Sequence, residues 1–306
     1  MNLNSIIRLK ITGNCNRKCF FCHEEGGMSY LNDIKYCNDL DIFIKKITEE
    51  FNAKTIAITG GEPLLNPNIQ EIFKYLSEID NIEGISLTTN GTISKSINFW
   101  RKLSKYKLKK VNISIPDIIN NKEYDLLNNQ IKIIKILNKL NIQANINIVI
   151  FNDKVFTIHV IETLLKHKDK IKFSITLLPN LNNYCYGISI SEEIINDLKL
   201  KKIEICDNNF TSNIKTTYSL NGNIIHIKET KKDGILKEIK GLCDSCSVRN
   251  ECNEGFYAIR IEKKGSDYFA RTCILRNDIE TSININNFFN SNTFHILKKY
   301  YKTNNK

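Results

Sequence analysis

Two hydrophobic patterns alternate along the first two thirds of the chain. Short runs rich in isoleucine are typical of buried strands, and the stretches between them place apolar residues three or four positions apart, as on one face of a helix. The predicted strands are residues 6–11, 55–59, 84–87, 111–115, 142–150 and 171–177. The predicted helices are residues 39–51, 67–79, a segment around 99–100, residues 122–140 and a segment ending near 167. This alternation indicates βα units around a parallel sheet.

The number of these units limits the fold. Six βα repeats within about 180 residues fit a partial barrel, whereas a full eight-unit barrel needs about 250 residues. The sequence therefore predicts an α/β fold with a partial (β/α)6 TIM-like barrel. Asn66 and Ser94 are the predicted N-caps of the second and third helices. Polar motifs follow the strands, and because active sites of such barrels assemble at the carboxyl ends of the strands, we expect these motifs to face one cavity.

The pattern changes after Pro179. A helix is predicted from Ser191 to about Leu200, and Asn221-Gly222 is the predicted turn of a hairpin. A second hairpin over 257–272 and a closing amphipathic helix through Phe288 and Leu297 follow. We place a domain boundary near residue 210, with the barrel in residues 1–210 and a second, cysteine-bearing domain in residues 211–306.

The amino-acid composition indicates the class of protein and its expected cellular location. The 306 residues are 42% hydrophobic and 25% charged, which is ordinary for a globular protein, and neither a leader pattern nor a membrane-length apolar run is visible. We therefore expect a cytoplasmic location, where ten cysteines favour metal ligation over disulfides. The net charge of +11 raises RNA binding as an alternative. The densest basic run, residues 101–110, lies between a predicted helix and strand, which favours a solvated exterior, and no RNA-recognition motif accompanies it.

Three cysteines follow the first predicted strand at the spacing C-x3-C-x2-C: Cys15, Cys19 and Cys22. Three thiolates on one short loop leave a fourth coordination position open, which favours an iron–sulfur cluster with one open iron. A zinc knuckle or three unrelated thiols are the alternatives. A second group, with the spacing C-x2-C-x5-C-x20-C, consists of Cys243, Cys246, Cys252 and Cys273. It could hold structural zinc or an auxiliary 4Fe–4S cluster. The other cysteines, Cys37, Cys185 and Cys206, lack ligand-like spacing.

The first cysteine loop, with an aromatic residue before its last cysteine, resembles the signature of the radical S-adenosylmethionine (SAM) enzymes. The resemblance implies that the amine and carboxylate of SAM chelate the open iron. Reductive cleavage of SAM then yields a 5'-deoxyadenosyl radical that abstracts a hydrogen atom. It also assigns cofactor contacts: Phe21 near the adenine, Gly60, Gly61 and Glu62 at the amino group, Thr89 and Asn90 lining the pocket, and Ser114 and Asn147 at the ribose or carboxylate.

These cofactor assignments have physical reasons and alternatives. Glycines allow close approach of the backbone to a ligand, and the Glu62 carboxylate accepts hydrogen bonds from an ammonium group. The segment Gly60-Gly61-Glu62-Pro63 could also be a plain βα turn, and Ser114 and Asn147 could merely satisfy backbone groups at strand ends.

The order of the motifs resembles the GTP 3',8-cyclases of molybdenum cofactor biosynthesis (MoaA-like). In those enzymes three C-terminal cysteines hold a second 4Fe–4S cluster whose open iron binds the purine. The chain departs from that family where GTP is gripped: the Asn-Arg-x-Arg segment after the second cysteine pair is missing, and only Arg260 resembles one of its arginines. Thr55 and Ala57 stand where basic residues are frequent in the family. Because a triphosphate needs several fixed cations, a different substrate is predicted.

The sequence thus predicts a radical SAM enzyme that abstracts a hydrogen atom from a small polar metabolite or peptide, with Arg260 in contact with the substrate. One alternative is a GTP 3',8-cyclase, and another is an epimerase in which Cys273 or Cys252 returns a hydrogen atom. A non-catalytic redox or scaffold protein is a third. An electron donor such as flavodoxin or ferredoxin is the expected partner, and neither a membrane nor a nucleic acid is expected.

Overall fold

The computed structural model describes most of the chain. The described residues are 6–19, 22, 31–115, 124–150, 154–167, 169–179, 184–207, 213–230, 238–247, 249, 252, 256 and 258–304. The predicted site residue Phe21 lies outside them.

The first half of the chain folds as the βα series that the hydrophobic pattern predicts. Its elements are β1 (Ile7–Lys10), α1 (Asn38–Glu50), β2 (Thr55–Thr59), α2 (Ile69–Ser77), β3 (Gly84–Thr89), α3 (Ile97–Lys105), β4 (Leu108–Ile115), α4 (Tyr124–Lys139), β5 (Gln143–Ile150), α5 (Lys154–Leu165) and β6 (Ser174–Pro179). A short 3-10 helix, Pro63–Leu65, lies between β2 and α2.

The second half adds strands at both ends of the sheet. Its elements are α6 (Tyr184–Asp197), β7 (Lys201–Asp207), β8 (Asn213–Leu220), β9 (Asn223–Thr230), β10 (Ile259–Lys264), β11 (Asp267–Arg271), β12 (Ser282–Asn284), α7 (Ile285–Phe288) and α8 (Asn292–Asn304). The described strands form one sheet in the order β12-β11-β10-β1-β2-β3-β4-β5-β6-β9-β8-β7. From β10 to β9 neighbouring strands are parallel. The α/β fold with its partial barrel is confirmed. The domain boundary near residue 210 stays a prediction, and β10 pairs directly with β1.

The two faces of this sheet differ in chemistry. Side chains alternate between the faces along each strand, so a register fixes which residues share a face. On one face, Ile7, Ile56 and Ile85 lie side by side and belong to the buried core with the helices. On the other face, the row Ser114, Asn147, Thr176, His226 and Thr217 crosses five strands. The polar face is therefore a continuous surface that starts at the predicted cofactor contacts.

Several predicted element boundaries are wrong. Helix α6 begins at Tyr184 rather than Ser191. Strand β7 was not predicted, because it is an edge strand whose charged and apolar residues are both exposed. The predicted closing helix is two helices, since the Ser291 hydroxyl accepts a hydrogen bond from the Phe294 N–H and starts α8 anew. The predicted hairpin turn at Asn221-Gly222 is confirmed, with both residues at positive φ.

Helix α3 is capped by Ser96 and not by Ser94. The Ser96 hydroxyl oxygen accepts a hydrogen bond of 3.3 Å from the Phe99 N–H. We expect Ser96→Ala to lower the free energy of unfolding by about 1 kcal/mol, because one N–H of the first turn loses its acceptor. Ser94→Ala, a change of the same size two residues away, should leave stability unchanged. Chemical denaturation followed by circular dichroism measures both, and a larger loss for Ser94→Ala would contradict the assignment.

Candidate active site

The first cysteine loop is an extension of the β1–β2 pairing. After the strands end, the Ile11 N–H donates to the Thr59 carbonyl at 2.9 Å, and the Gly61 N–H donates to the Thr12 carbonyl at 2.8 Å. The Glu62 N–H then donates to the Asn14 carbonyl at 2.8 Å. The backbone immediately before Cys15 is thereby fixed to the Gly-Gly-Glu segment.

This contact explains both glycines. A Cβ atom on Gly60 would lie 2.5 Å from the Thr12 carbonyl oxygen, and one on Gly61 would lie 2.2 Å from that of Asn14. Both distances are below any van der Waals contact. The sequence argument assigned the glycines to close approach of SAM, whereas in the structure the backbone of the cysteine loop occupies that space. A further role of Gly60 and Gly61 in holding SAM stays a prediction.

Glu62 joins the ends of β2 and β3. Its side chain is 0% exposed, and the carboxylate accepts hydrogen bonds from the Leu64 N–H at 3.0 Å, the Thr89 hydroxyl at 2.8 Å and the Asn90 N–H at 2.7 Å. Burial raises the pKa of Glu62 above its ordinary value, although these three hydrogen bonds act in the opposite direction. Glu62 and Thr89 therefore brace the two loops that the sequence assigns to SAM, and their contact with SAM stays a prediction.

Asn90 connects this brace to the first cysteine. Its side-chain nitrogen lies 3.0 Å from Asn16 Oδ1 and 3.9 Å from Cys15 Sγ. The Asn16 side chain in turn donates to the Thr92 hydroxyl at 2.8 Å. Cys15 and Cys19 are half-buried and Cys22 is exposed, and the Cys22 N–H donates a hydrogen bond of 3.0 Å to the Cys19 carbonyl.

Ser114 and Asn147 lie side by side in the polar row on β4 and β5. A neighbour that the sequence analysis missed, Asn145, is 1% exposed and contacts Asn147. Its Oδ1 accepts from the Ser174 hydroxyl at 2.8 Å and from the Thr176 hydroxyl at 3.0 Å. Its Nδ2 donates to Asn147 Oδ1 at 2.8 Å. Because the Ser174 and Thr176 hydroxyls both donate to the side-chain oxygen of Asn145, the orientation of its amide is fixed.

Gln130 is a second residue that the sequence analysis missed. Its side-chain nitrogen donates to the carbonyl oxygens of Asn90 and Ser114, both at 3.2 Å, and so links β3 to β4 behind the predicted cofactor contacts. The only sequence signal was a buried polar residue on the otherwise apolar face of a helix.

The four C-terminal cysteines surround one cavity of about 50 Å³. All four are half-buried. Burial raises the pKa of the Cys243 thiol, and the nearby Cys273 and Cys252 thiols raise it further. Within the described residues, no three His, Cys, Asp or Glu side chains converge closely enough to hold one metal ion. Thiols arranged around a cavity suit a multi-iron cluster, in which each cysteine binds a different iron.

Arg260 is 1% exposed on β10, level with Arg8 on β1. Its Nη1 donates to the Ala258 carbonyl at 3.1 Å, and the role of Arg260 in substrate binding stays a prediction. The next residues on the same face form a buried ion pair, with Lys10 Nζ 3.3 Å from Glu262 Oε2. Arg8, Lys10 and Glu262 were not singled out from the sequence, because their proximity depends on the pairing of β1 with a strand more than 240 residues later.

The two cysteine groups lie at opposite ends of the same strands. Cys15 follows the carboxyl end of β1, whereas Cys252 precedes the amino end of β10, which runs parallel to β1. Strand β11 runs back against β10, so Cys273 returns to the amino end. The polar face between them spans about 20 Å, at roughly 3.3 Å per residue over the six steps from Ile6 to Thr12.

Comparison with known proteins decides the family. The sequence profile of the radical SAM superfamily matches residues 9–183, more than half of the chain. The chain belongs to the radical SAM superfamily. It is therefore an enzyme of a family that uses a 4Fe–4S cluster and SAM, and the relatives described next carry an additional auxiliary cluster. The cysteine loop braced by Glu62 and Asn90 fits the first cluster, and the four-thiol cavity fits the second.

Several curated relatives of this radical SAM protein are named GTP 3',8-cyclases. A probable GTP 3',8-cyclase of Methanocaldococcus jannaschii is 33% identical over 224 residues, which cover 68% of this chain and 71% of the relative. The enzyme of Clostridium perfringens is 27% identical over 82% of this chain and 78% of its own length. A probable cyclase of Methanococcus maripaludis is 37% identical, but the match spans only 38% of either protein.

A solved structure shares the fold of this radical SAM protein. The structure of native anSMEcpe with bound AdoMet aligns with a TM-score of 0.58 and 18% identity, over 98% of this chain and 83% of that one. At this identity the likeness concerns the fold alone. Among the helices described here, none has the length and apolar character that crossing a membrane requires.

The packing of Gly61 gives a test of the first site. Gly61→Ala should displace the backbone before Cys15, because the added methyl group would lie 2.2 Å from the Asn14 oxygen. We expect the iron content of the anaerobically reconstituted chain to fall from about eight to about four atoms, those of the second cluster. Gly265→Ala, in a turn where a Cβ atom meets nothing within 4 Å, is the control and should keep its iron despite about 1 kcal/mol of backbone strain. Full iron content in Gly61→Ala would contradict this interpretation.

Proposed function

We propose that this radical SAM enzyme abstracts a hydrogen atom from a polar small metabolite or a peptide that binds on the polar face of the sheet. The observation that carries the proposal is the continuous row from Ser114 to Thr217, which begins at the predicted cofactor contacts and continues across β6, β9 and β8. A substrate on this row would lie between the two cysteine groups and next to SAM.

The proposed roles of the N-terminal residues follow from their contacts. Cys15, Cys19 and Cys22 would hold the first cluster, which when bound and reduced supplies the electron that cleaves SAM to a 5'-deoxyadenosyl radical. Asn90 holds the loop of Cys15 in place. Glu62 ties the same loop to β3 through its N–H and its carboxylate, so the loop that would hold the first cluster is fixed rigidly.

Asn147 is proposed to donate to the carboxylate or ribose of SAM. The carbonyl oxygen of its side chain already accepts from Asn145, so its NH2 group is the part that suits an acceptor on the ligand. Asn145 is then a positioning residue. Ser174 and Thr176 hold it from the neighbouring strand and extend the same network toward the substrate.

Neutral groups dominate the proposed substrate surface. Hydroxyl and amide side chains recognise polar uncharged groups such as hydroxyls and peptide bonds, because each leaves hydrogen-bonding capacity that a polar partner satisfies. The half-buried His226 belongs to the row, and burial, helped by nearby Lys215 and Lys110, lowers its pKa to about 4. His226 is therefore neutral near pH 7, like the other members of the row, whereas Lys110 and Lys215 place positive charge beside it.

A GTP 3',8-cyclase is the second candidate, favoured by the names of the curated relatives and by the adjacent Arg8 and Arg260. Against it, the strand next to Arg8 carries Ala57 at the same level, and Ser86 follows on the next strand. Lys110 lies at the same level one strand further on, so these two neutral side chains separate it from Arg8 and leave fewer adjacent cations than a triphosphate needs. The epimerase alternative would require Cys273 or Cys252 to reach the substrate radical from the amino end of the strands.

The electron donor is proposed to be an acidic carrier such as flavodoxin or ferredoxin. Cys22 is exposed, and the exposed Lys18 lies in the same loop. A positive group beside an accessible cluster favours approach of a negatively charged redox protein.

The proposal is tested by the cleavage of SAM. The anaerobically reconstituted, reduced chain is expected to form 5'-deoxyadenosine, and Cys19→Ala should reduce the yield to background because the first cluster loses a ligand. Cys206→Ala, at a thiol on β7 outside both groups, should keep the activity. Mass spectrometry of the product measures the yield, and equal yields from both variants would contradict the assigned site.

The same assay separates the candidate substrates. Polar metabolites and peptides are screened for acceleration of SAM cleavage, with GTP as a parallel sample. Acceleration by GTP, together with tight GTP binding, would replace the proposed substrate class with the cyclase reaction.

Asn145 gives a test of the cofactor contacts. Asn145→Ala should raise the dissociation constant of SAM about 10-fold. Without Asn145 the Asn147 side chain no longer has one fixed orientation, and the expected loss of binding free energy is about that of one hydrogen bond. Gln143→Ala, at the exposed start of the same strand, is the matched control and should bind SAM normally. Anaerobic equilibrium dialysis measures both constants. Unchanged affinity in Asn145→Ala, with reduced affinity in Asn147→Ala, would rule out the positioning role.

A further inference from the structure

Three of the cysteines that line the cavity, Cys243, Cys246 and Cys252, precede β10 in the chain. Backbone hydrogen bonds join residues three apart: the Cys246 N–H donates to the Cys243 carbonyl, the Arg249 N–H to that of Cys246, and the Cys252 N–H to that of Arg249, each at 3.2 Å. Cys243, Cys246 and Cys252 follow this spacing, and all three line the same cavity.

The fourth cysteine is held on the opposite wall. The Arg271 guanidinium, 1% exposed, donates to the carbonyl oxygens of Cys273 at 2.9 Å and Ile274 at 2.6 Å. The Arg276 N–H lies 3.4 Å from Cys273 Sγ, and its guanidinium donates to the Leu242 carbonyl at 2.6 Å. Arg276 thereby joins the loop of Cys273 to the loop of Cys243.

The cavity is separate from the polar face. Its described lining residues all come from the segment 238–281, and none belongs to β1–β6. Besides the thiols, the walls include the apolar side chains of Ile239, Leu242, Phe256 and Leu275. The guanidinium of Arg249, which also lines it, is bound to Glu238 by two hydrogen bonds.

We propose that Cys252 is the fourth ligand of the second cluster, so that four thiolates saturate its irons and no iron is open to a substrate. The inference deepens the proposed function. With a closed cluster at the amino end, substrate recognition falls to the side chains of the polar face, and neither Cys252 nor Cys273 is available as a hydrogen-atom donor. The closed cluster serves electron transfer or structure.

The test uses the full-length chain with Cys15→Ala, Cys19→Ala and Cys22→Ala, so that only the second cluster is present. The probe is ¹³C-cyanide, a small ligand of open irons, read by electron–nuclear double resonance on the reduced cluster. With Cys252 intact, we expect no ¹³C coupling, and mild ferricyanide oxidation should leave about four irons per chain. With Cys252→Ala added, coupling should appear, and oxidation should reduce the iron content from about four to about three atoms.

Cyanide coupling or loss of one iron while Cys252 is intact would overturn the proposal, as would zinc in place of iron. The chain with Cys252 intact decides the question alone, even if the variant assembles no cluster. The same measurement on the unaltered chain saturated with SAM covers the case in which the triple variant does not fold. Cys206→Ala, made in place of Cys252→Ala, is the thiol control, and the second cluster of that variant should stay closed.

This result is independent of substrate turnover. A closed second cluster in a chain that does not cleave SAM would contradict the proposed function and leave this inference standing. An open iron in the second cluster of a chain that does cleave SAM would overturn this inference and leave the proposed function standing.

Discussion

The backbone pairing between the cysteine loop and the Gly-Gly-Glu segment is the constraint on which the first site depends. The hydrogen bonds from the Gly61 and Glu62 N–H groups fix the chain just before Cys15, and they are possible only because neither residue 60 nor residue 61 carries a Cβ atom. Burying the Glu62 carboxylate is costly, and its three hydrogen-bond donors offset that cost. A buried, fully engaged carboxylate holds the loops more rigidly than an exposed one, which suits a site whose cofactor must be positioned closely.

The polar face of the sheet is stable because its side chains form hydrogen bonds with one another. Asn145 accepts two hydroxyl donors and donates to Asn147, so a polar network replaces the apolar packing of an ordinary barrel interior. At the other end of the sheet, the buried Lys10–Glu262 pair joins β1 to β10. Such a pair contributes little net stability but disfavours other registers, because a slipped strand would leave each charge buried alone. The strand that carries the first cysteine loop is thus tied to the strand that follows the second cysteine group.

Periodicity and spacing predicted the parts of the structure that depend on local sequence. The βα series and the Asn221-Gly222 turn are local patterns, and the structure contains both; it also brings the four C-terminal cysteines to one cavity. Strand β7 was missed because both of its faces are exposed and no amphipathic pattern marks it. The contacts of Asn145, Gln130 and Arg8 depend on the register between distant strands and helices, and no spacing along the chain encodes them. The sequence identified Gly60 and Gly61 as positions of close approach. The atoms that approach them belong to the backbone of the cysteine loop, at Thr12 and Asn14, and not to a ligand.

The separation of the two cysteine groups determines what can differ between this chain and its relatives. The first group and its brace lie at the carboxyl ends of the strands, within residues 9–183, the part of the chain that matches the superfamily profile. The second group and the strands β10–β12 lie outside that match. Between them, the row from Ser114 to Thr217 lies on β4, β5, β6, β9 and β8, whereas the Gly-Gly-Glu brace lies at the ends of β2 and β3. Ala57 lies beside Arg8 on the polar face and is not one of the residues that hold the backbone before Cys15. A fold built in this way separates the generation of the radical from the choice of the bond that it attacks.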